Sequence, residues 1–305
     1  VPDERIAGLF PGQGSQTAEM RERVELIAPE LARRAGELVG ADPFARVTES
    51  TRFAQPAIYC ASIAGWMEWG ASVRPSILAG HSLGELSALV AAEVLDPFTG
   101  LELAVLRGEL MASSRSWEEG GMLALLRAEE DLPGRLAEEY SVSVANDNAP
   151  GQVVLAGPVD GLRDAAAEAR RVGARAIWLD VASAFHSPAM ADAVEPFRAA
   201  LDRVELRPAQ IPVICGSTTR PFTDVRAELA GAIVEPVRWR ETMLALASGG
   251  ASTFVDFGPG EVLARLVARN VADATVLDPA RMNACEEPDP TPVASSNGRE
   301  PTVVR

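Results

Sequence analysis

From residue 5 to about residue 113, short apolar runs alternate with longer segments of mixed polarity. Arg5-Ile6-Ala7-Gly8-Leu9-Phe10 and Ser76-Ile77-Leu78-Ala79 have the length and continuity of buried strands. Glu19–Val39, Pro56–Trp69, Leu83–Ala92 and Phe98–Ser113 are rich in helix formers, and the last carries Leu101, Ala104, Val105 and Leu106 as its apolar side. Such alternation predicts a parallel sheet covered by helices on both faces.

From about Gly121 the pattern changes. Met122–Leu126 reads as a strand, Leu132–Glu139 as a helix, Val142–Ala145 and Gln152–Ala156 as strands, Val159–Val172 as a helix and Ala176–Val181 as a strand. This βαββαβ order is the plan of a ferredoxin-like module, here an insertion spanning 121–188. The larger α/β pattern then resumes: helix Ala189–Leu201, strand Ile211–Cys215, helices near Val225–Ile233 and Trp239–Ala247, strand Thr253–Phe257 and helix Glu261–Asn270. The expected architecture is a discontinuous α/β-hydrolase-like large domain, 1–120 and 189–283, with the small domain inserted. The Pro-, Ser- and acid-rich stretch 284–305 reads as a disordered tail.

Where the second apolar strand meets its helix, Gly80-His81-Ser82-Leu83-Gly84 places a serine between glycines. A sharp strand-to-helix turn of this type is a nucleophile elbow, which exposes the serine hydroxyl above the sheet. The N–H groups at the start of the following helix face a developing oxyanion. The loop after the first strand, Phe10-Pro11-Gly12-Gln13-Gly14-Ser15-Gln16, emerges at the same sheet edge, so the N–H of Gln13 pairs with that of Leu83 as a two-donor oxyanion hole.

Composition narrows the chemistry. The chain has 28 basic and 43 acidic residues, which argues against nucleic acid or an anionic membrane as partner. All the basic residues are arginine, so Schiff-base and Ser-Lys mechanisms are excluded. Cys60, Cys215 and Cys285 are too far apart for a zinc motif or disulfide framework, and no signal peptide or membrane-spanning run is evident. These features suggest a cytoplasmic monomer without a bound metal. Only two histidines exist: His81 adjoins the serine, where neighbouring side chains diverge, so elimination leaves His186 as general base for Ser82.

Seven segments occur in one order: Phe-Pro-Gly-Gln-Gly-Ser-Gln at 10–16, Gln55-Pro56-Ala57, Gly-His-Ser-Leu-Gly-Glu at 80–85, Arg107-Gly108-Glu109-Leu110-Met111, Pro150-Gly151-Gln152-Val153-Val154, Ala-Phe-His-Ser at 184–187 and Phe257-Gly258-Pro259-Gly260. Together they resemble the malonyl-CoA:acyl carrier protein transacylases and the acyltransferase domains of polyketide synthases, over about residues 5–280.

The resemblance implies ping-pong transfer from a coenzyme A thioester to the phosphopantetheine thiol of an acyl carrier protein, with no permanently bound cofactor. Ser82 would carry the acyl group, His186 would move protons, and Arg107 would hold the free carboxylate of malonate. Phe185 and Leu83 match malonyl-selective members, whereas Ser183 replaces the histidine that often opens that motif. Ala232 stands where the family has a glutamine whose main-chain carbonyl orients the histidine.

Three other functions share these residues: an editing hydrolase for acyl carrier proteins, a transferase of larger acyl groups between two carrier proteins, and an inactive docking module. A free-standing enzyme is expected, since no long linker precedes residue 5. Arg163, Arg170, Arg171 and Arg175 offer a basic face for an acidic carrier.

Overall fold

Alternating residues of the first strand pack on opposite sides, and this organises the larger sheet. In a computed structural model describing residues 5–114, 120–181 and 183–277, β1 (Arg5–Phe10) opens the chain. It is followed by α1 (Met20–Ile27), α2 (Pro29–Val39), α3 (Thr51–Val73), β2 (Ile77–Gly80), α4 (Gly84–Ala91) and α5 (Pro97–Ser113).

The antiparallel unit comprises β3 (Gly120–Leu126), α6 (Leu132–Tyr140), β4 (Ser143–Ala149), β5 (Gln152–Pro158), α7 (Val159–Arg171) and β6 (Arg175–Trp178). Then come α8 (Ala191–Leu201), β7 (Val213–Ile214), α9 (Val225–Gly231), α10 (Trp239–Ser248), β8 (Ala251–Asp256), α11 (Val262–Asn270) and β9 (Thr275–Leu277).

Five parallel strands form the larger sheet in the order β7-β2-β1-β8-β9. Ala7 and Leu9 join Trp239, Phe254 and Leu266 on one face, while Phe10, Leu78 and Val255 face Ile58, Leu86 and Phe197 on the other. Both faces are therefore dry, as a parallel sheet requires. Because the strands run the same way, the loops after β1, β2, β7 and β8 all leave from one edge.

The second sheet has the order β4-β5-β3-β6, with every pairing antiparallel. Leu123, Leu125, Val153 and Leu155 bury one face against α6 and α7. The opposite face, with Met122, Ala124 and Val154, turns toward the larger unit. Main-chain bonds from Asp147 to the Val237 carbonyl and from Val237 to the Ala145 carbonyl, both 2.9 Å, tie β4 to the loop before α10.

Several expected boundaries shift. The span 19–39 is two helices, because Pro29 cannot donate the bond that would continue α1, and Ala28 leaves helical geometry. Helix α3 begins at Thr51 rather than Pro56, capped where the Ser50 hydroxyl accepts from the Arg52 N–H at 3.2 Å. Strand β9 extends the sheet beyond β8 and has no counterpart in the sequence reading. The expected tail 284–305 lies outside the described residues. Among the described residues, no helix is long and apolar enough to cross a membrane.

Candidate active site

Ser82 sits in the left-handed region, at φ 54°, between the end of β2 and the start of α4. This costly conformation for serine persists because the flanking backbone has no other room. A Cβ on Gly84 would lie 1.9 Å from the Phe10 carbonyl oxygen, and one on Gly80 would lie 2.0 Å from the Gly84 carbonyl carbon. Only glycine permits such close packing of β1, β2 and α4.

The β1 loop presses against the same turn: a Cβ on Gly12 would fall 2.6 Å from the His81 carbonyl oxygen and 3.6 Å from the Leu83 nitrogen. Gln13 and Leu83 consequently border one cleft. Their backbone N–H groups have no protein acceptor among the described residues. Unpaired donors beside a nucleophile suit a tetrahedral oxyanion.

His186 arrives from the segment after β6. The turn that presents it is fastened by Ser187, whose hydroxyl donates to the Ala184 carbonyl at 2.6 Å and accepts from the Ala189 N–H at 3.3 Å. His186 itself takes a left-handed φ of 55°. Its Nε2 lies 2.7 Å from Ser82 Oγ, while Nδ1 lies 2.9 Å from the Ala232 carbonyl oxygen and 3.1 Å from that of Glu235.

Carbonyls only accept, so Nδ1 carries the hydrogen and the Nε2 lone pair faces the serine hydroxyl. Burial first, then the nearby Arg107 and His81, pushes the His186 pKa down to about 3. The imidazole is therefore neutral and able to accept a proton. The other histidine is directed elsewhere: His81 Nε2 is 2.8 Å from Asn148 Oδ1, and its ring packs against Trp239.

Arg107, on α5, is only 4% exposed. Its Nη1 donates to Gln55 Oε1 at 2.9 Å and its Nη2 to Ser82 Oγ at 3.1 Å. Gln55, on the adjacent α3, is held in turn by donating to Thr51 Oγ1 at 2.9 Å. Desolvation lowers the guanidinium pKa to about 10, partly opposed by Glu85, so the group remains charged near neutral pH. A buried, fixed cation beside the nucleophile is suited to an anionic reactant.

The surrounding cleft has a volume of about 390 Å³ and is lined partly by Met111, Met122, Leu179 and Phe185. Phe185 is 9% exposed and contributes to both the cleft wall and the core. Ser82, His186, Arg107, Gln13, Leu83 and Phe185 thus converge on one space. The basic face is less available than its sequence suggests, since Arg163 pairs with Asp160, Arg171 with Glu168, and Arg170 donates to the Ala176 carbonyl.

Three contributors carry no role in the sequence reading. The Glu235 carbonyl is invisible there because any residue supplies one. Gln55 lies in a quoted segment, yet only the packing of α3 on α5 gives it a function in orienting Arg107. Glu85 closes the elbow hexapeptide and is 3% exposed, with Oε1 accepting from the Gly216 N–H at 2.7 Å.

Comparison with known proteins gives a consistent result. Residues 36–289 match the acyl transferase domain family. The chain is 35% identical to the polyketide biosynthesis malonyl CoA-acyl carrier protein transacylase PksC of Bacillus subtilis, covering 89% of this chain and 99% of that one. It is also 35% identical to the malonyl CoA-acyl carrier protein transacylase of Haemophilus influenzae, covering 93% and 99%. A longer relative, the polyketide biosynthesis protein ThaF of Burkholderia thailandensis, is 38% identical, but the match spans 24% of its length.

Among solved structures, the malonyl-CoA:acyl carrier protein transacylase of Xanthomonas oryzae superposes with a TM-score of 0.85 at 33% identity, covering 93% and 98% of the two chains. A malonyl-transacylase in complex with a type II polyketide synthase acyl carrier protein gives 0.83 at 31% identity, covering 90% and 95%.

Proposed function

The chain belongs to the acyl transferase domain family, and from that premise we propose that Ser82, His186 and Arg107 transfer a malonyl group from coenzyme A to the thiol of an acyl carrier protein. The observation that carries this reading is the buried Arg107 guanidinium 3.1 Å from Ser82 Oγ. A neutral acyl donor gains little from a desolvated cation. A donor with a free carboxylate gains two directed, charge-assisted bonds.

Ser82 Oγ attacks the thioester carbonyl as His186 Nε2 takes its proton. The oxyanion accepts from the Gln13 and Leu83 N–H groups. Collapse breaks the carbon–sulfur bond, and His186 returns the proton to the departing coenzyme A thiolate. The malonyl group remains as an ester on Ser82. The phosphopantetheine thiol then gives its proton to His186 and attacks that ester; the new thioester forms as Ser82 leaves and recovers the proton. No bound cofactor is needed for these steps.

The donor carboxylate also assists the base. By pairing with Arg107, it offsets one of the positive charges that depress His186. Phe185 and Leu83 narrow the space beside the acyl α-carbon and favour malonyl over methylmalonyl donors.

Intact-mass measurement tests the assignment. The wild type gains a malonyl adduct from malonyl-CoA and passes it to holo carrier protein faster than to water, while Ser82→Ala gains none. Persistent labelling of that variant overturns the role of Ser82, and discharge mainly to water overturns transfer.

A further inference from the structure

Strand β4 lies at the edge of the smaller sheet, so its outward main-chain groups need a partner other than β5. One residue of the larger unit supplies it. Val237 forms a parallel bridge to Asn146, donating its N–H to the Ala145 carbonyl and accepting from the Asp147 N–H, both at 2.9 Å. Val237 stands two residues after Glu235, whose carbonyl oxygen is 3.1 Å from His186 Nδ1. The smaller sheet thus braces one of the two carbonyls that orient the base. The other, at Ala232, belongs to the C-terminal cap of α9.

Three residues after Val237, a side chain repeats the attachment. Arg240, in the first turn of α10, has its Nε 3.1 Å from Asp147 Oδ2 and its Nη2 3.2 Å from Glu130 Oε1, just before α6. The side chains of Arg240 and Asp147 are only 28% and 22% exposed. Segment 235–240 is therefore tied to β4 twice, by main chain at Val237 and by charge at Arg240. On its other side the Arg238 N–H donates to the Gly216 carbonyl at 2.9 Å, and Arg238 Nη1 donates to the Ser217 carbonyl at 3.1 Å.

We propose that Asp147 and Arg240 are positioning residues for His186: their ion pair holds β4 against Val237 and so keeps the Glu235 carbonyl on the imidazole Nδ1–H. The inference rests on His186 being the base for Ser82. Neither Asp147 nor Arg240 lines the cleft, so their effect on the reaction runs through the loop. Without the pair, the bridge at Val237 stands alone at a strand edge and the Glu235 oxygen loses its support. His186 then keeps the Ala232 oxygen, which still selects the tautomer but leaves the ring freer to turn away from Ser82 Oγ. The cost falls on proton transfer and not on donor binding. Acylation at saturating malonyl-CoA should slow about 3- to 10-fold, the worth of one hydrogen bond, with KM within about twofold.

Imidazole nitrogen NMR on enzyme with isotope-labelled histidine reads the positioning itself. The chain has two histidines, and they hold opposite tautomers: His186 carries its hydrogen on Nδ1, while His81 donates from Nε2 to Asn148 Oδ1 at 2.8 Å. Their signals are therefore told apart by which nitrogen is protonated. Arg240→Gln and Asp147→Asn are each expected to shift or broaden the His186 Nδ1–H signal and to slow acylation alike. The double variant should be no slower than the slower single one, because both remove the same contact. Arg240→Lys keeps the charge and should restore part of both readouts.

A His186 signal unchanged in a variant that melts cooperatively overturns the proposal, as does a loss carried wholly in KM or an Arg240→Lys no better than Arg240→Gln. Should Arg240→Gln not fold, Asp147→Asn, which keeps the native shape, carries the same test. If His186→Ala still acylates Ser82 at the wild-type rate, the assignment of the base fails. If that variant is inactive while Arg240→Gln and Asp147→Asn leave signal and rate unchanged, only the positioning inference fails.

Discussion

Replacing Arg107 with alanine separates recognition of the donor carboxylate from the rest of catalysis. Arg107 is 4% exposed and its guanidinium is positioned by Gln55, so the proposed carboxylate site is set up before the donor arrives. Removing one member of a buried, hydrogen-bonded charge pair costs about 2–5 kcal/mol. At about 1.4 kcal/mol per decade, kcat/KM for malonyl-CoA should fall about 30-fold to several thousand-fold. Acetyl-CoA has no group for Arg107 to hold, so its kcat/KM should stay within about threefold or rise. The assay is stopped-flow acylation with each donor, read as a ratio of the two constants. An equal loss for both donors would mean that Arg107 acts through its 3.1 Å bond to Ser82 Oγ, and that its proposed carboxylate role is wrong. Arg107→Lys retains the charge but not the fork that reaches Gln55 and Ser82 together, and should fall between the wild type and alanine.

Because burial holds the His186 pKa at about 3, the acylation rate at saturating donor should show no acid limb at the ordinary histidine value near 6.5; a midpoint there in a pH-jump quench experiment would contradict the buried, neutral base. The same shift has a stability consequence. Unfolded His186 binds a proton below about 6.5 while the folded ring does not, so its contribution to stability falls as pH drops from about 6.5 toward 3, which acid titration of the melting temperature can follow. Gly84→Ala would force a Cβ to within 1.9 Å of a main-chain oxygen and should cost about 3 kcal/mol or more, and a thermal melt unchanged from wild type would refute the packing argument. Phe185→Ala should raise the methylmalonyl-to-malonyl ratio of kcat/KM about 10- to 200-fold, the usual worth of about one methyl in a pocket, and an unchanged ratio would assign Phe185 to core packing alone.

The sequence exposes local chemistry better than chemistry assembled from several segments. The elbow around Ser82 is legible because strand, glycines, serine and helix are contiguous. His186 is legible because the chain has so few histidines and because it stands in the Ala-Phe-His-Ser segment at 184–187. Arg107 by contrast lies in a helix whose charged neighbours, such as Glu109, give no sign of burial; its environment arises from α3 packing across it. The early start of α3 has the same origin: Thr51, Phe53, Ala54 and Gln55 are all buried, so no amphipathic stripe marks its first turn. Strand β9 is short, with Thr275 and Val276 exposed, and therefore lacks an apolar run to announce it.

Two main-chain carbonyls orient His186, and their neutrality fits a cleft that receives an anion. A carboxylate in their place would also select the Nδ1–H tautomer and would raise the basicity of the ring more strongly. It would add a buried negative charge to the cleft that takes the malonyl carboxylate, where Arg107 donates to Ser82 Oγ. That repulsion would tax donor binding or force a proton onto one of the acids. The Ala232 and Glu235 oxygens fix the tautomer through dipoles without this penalty. They also explain why alanine suffices at position 232: the imidazole contacts the main-chain oxygen, so the side chain can change as long as the turn after α9 keeps its course.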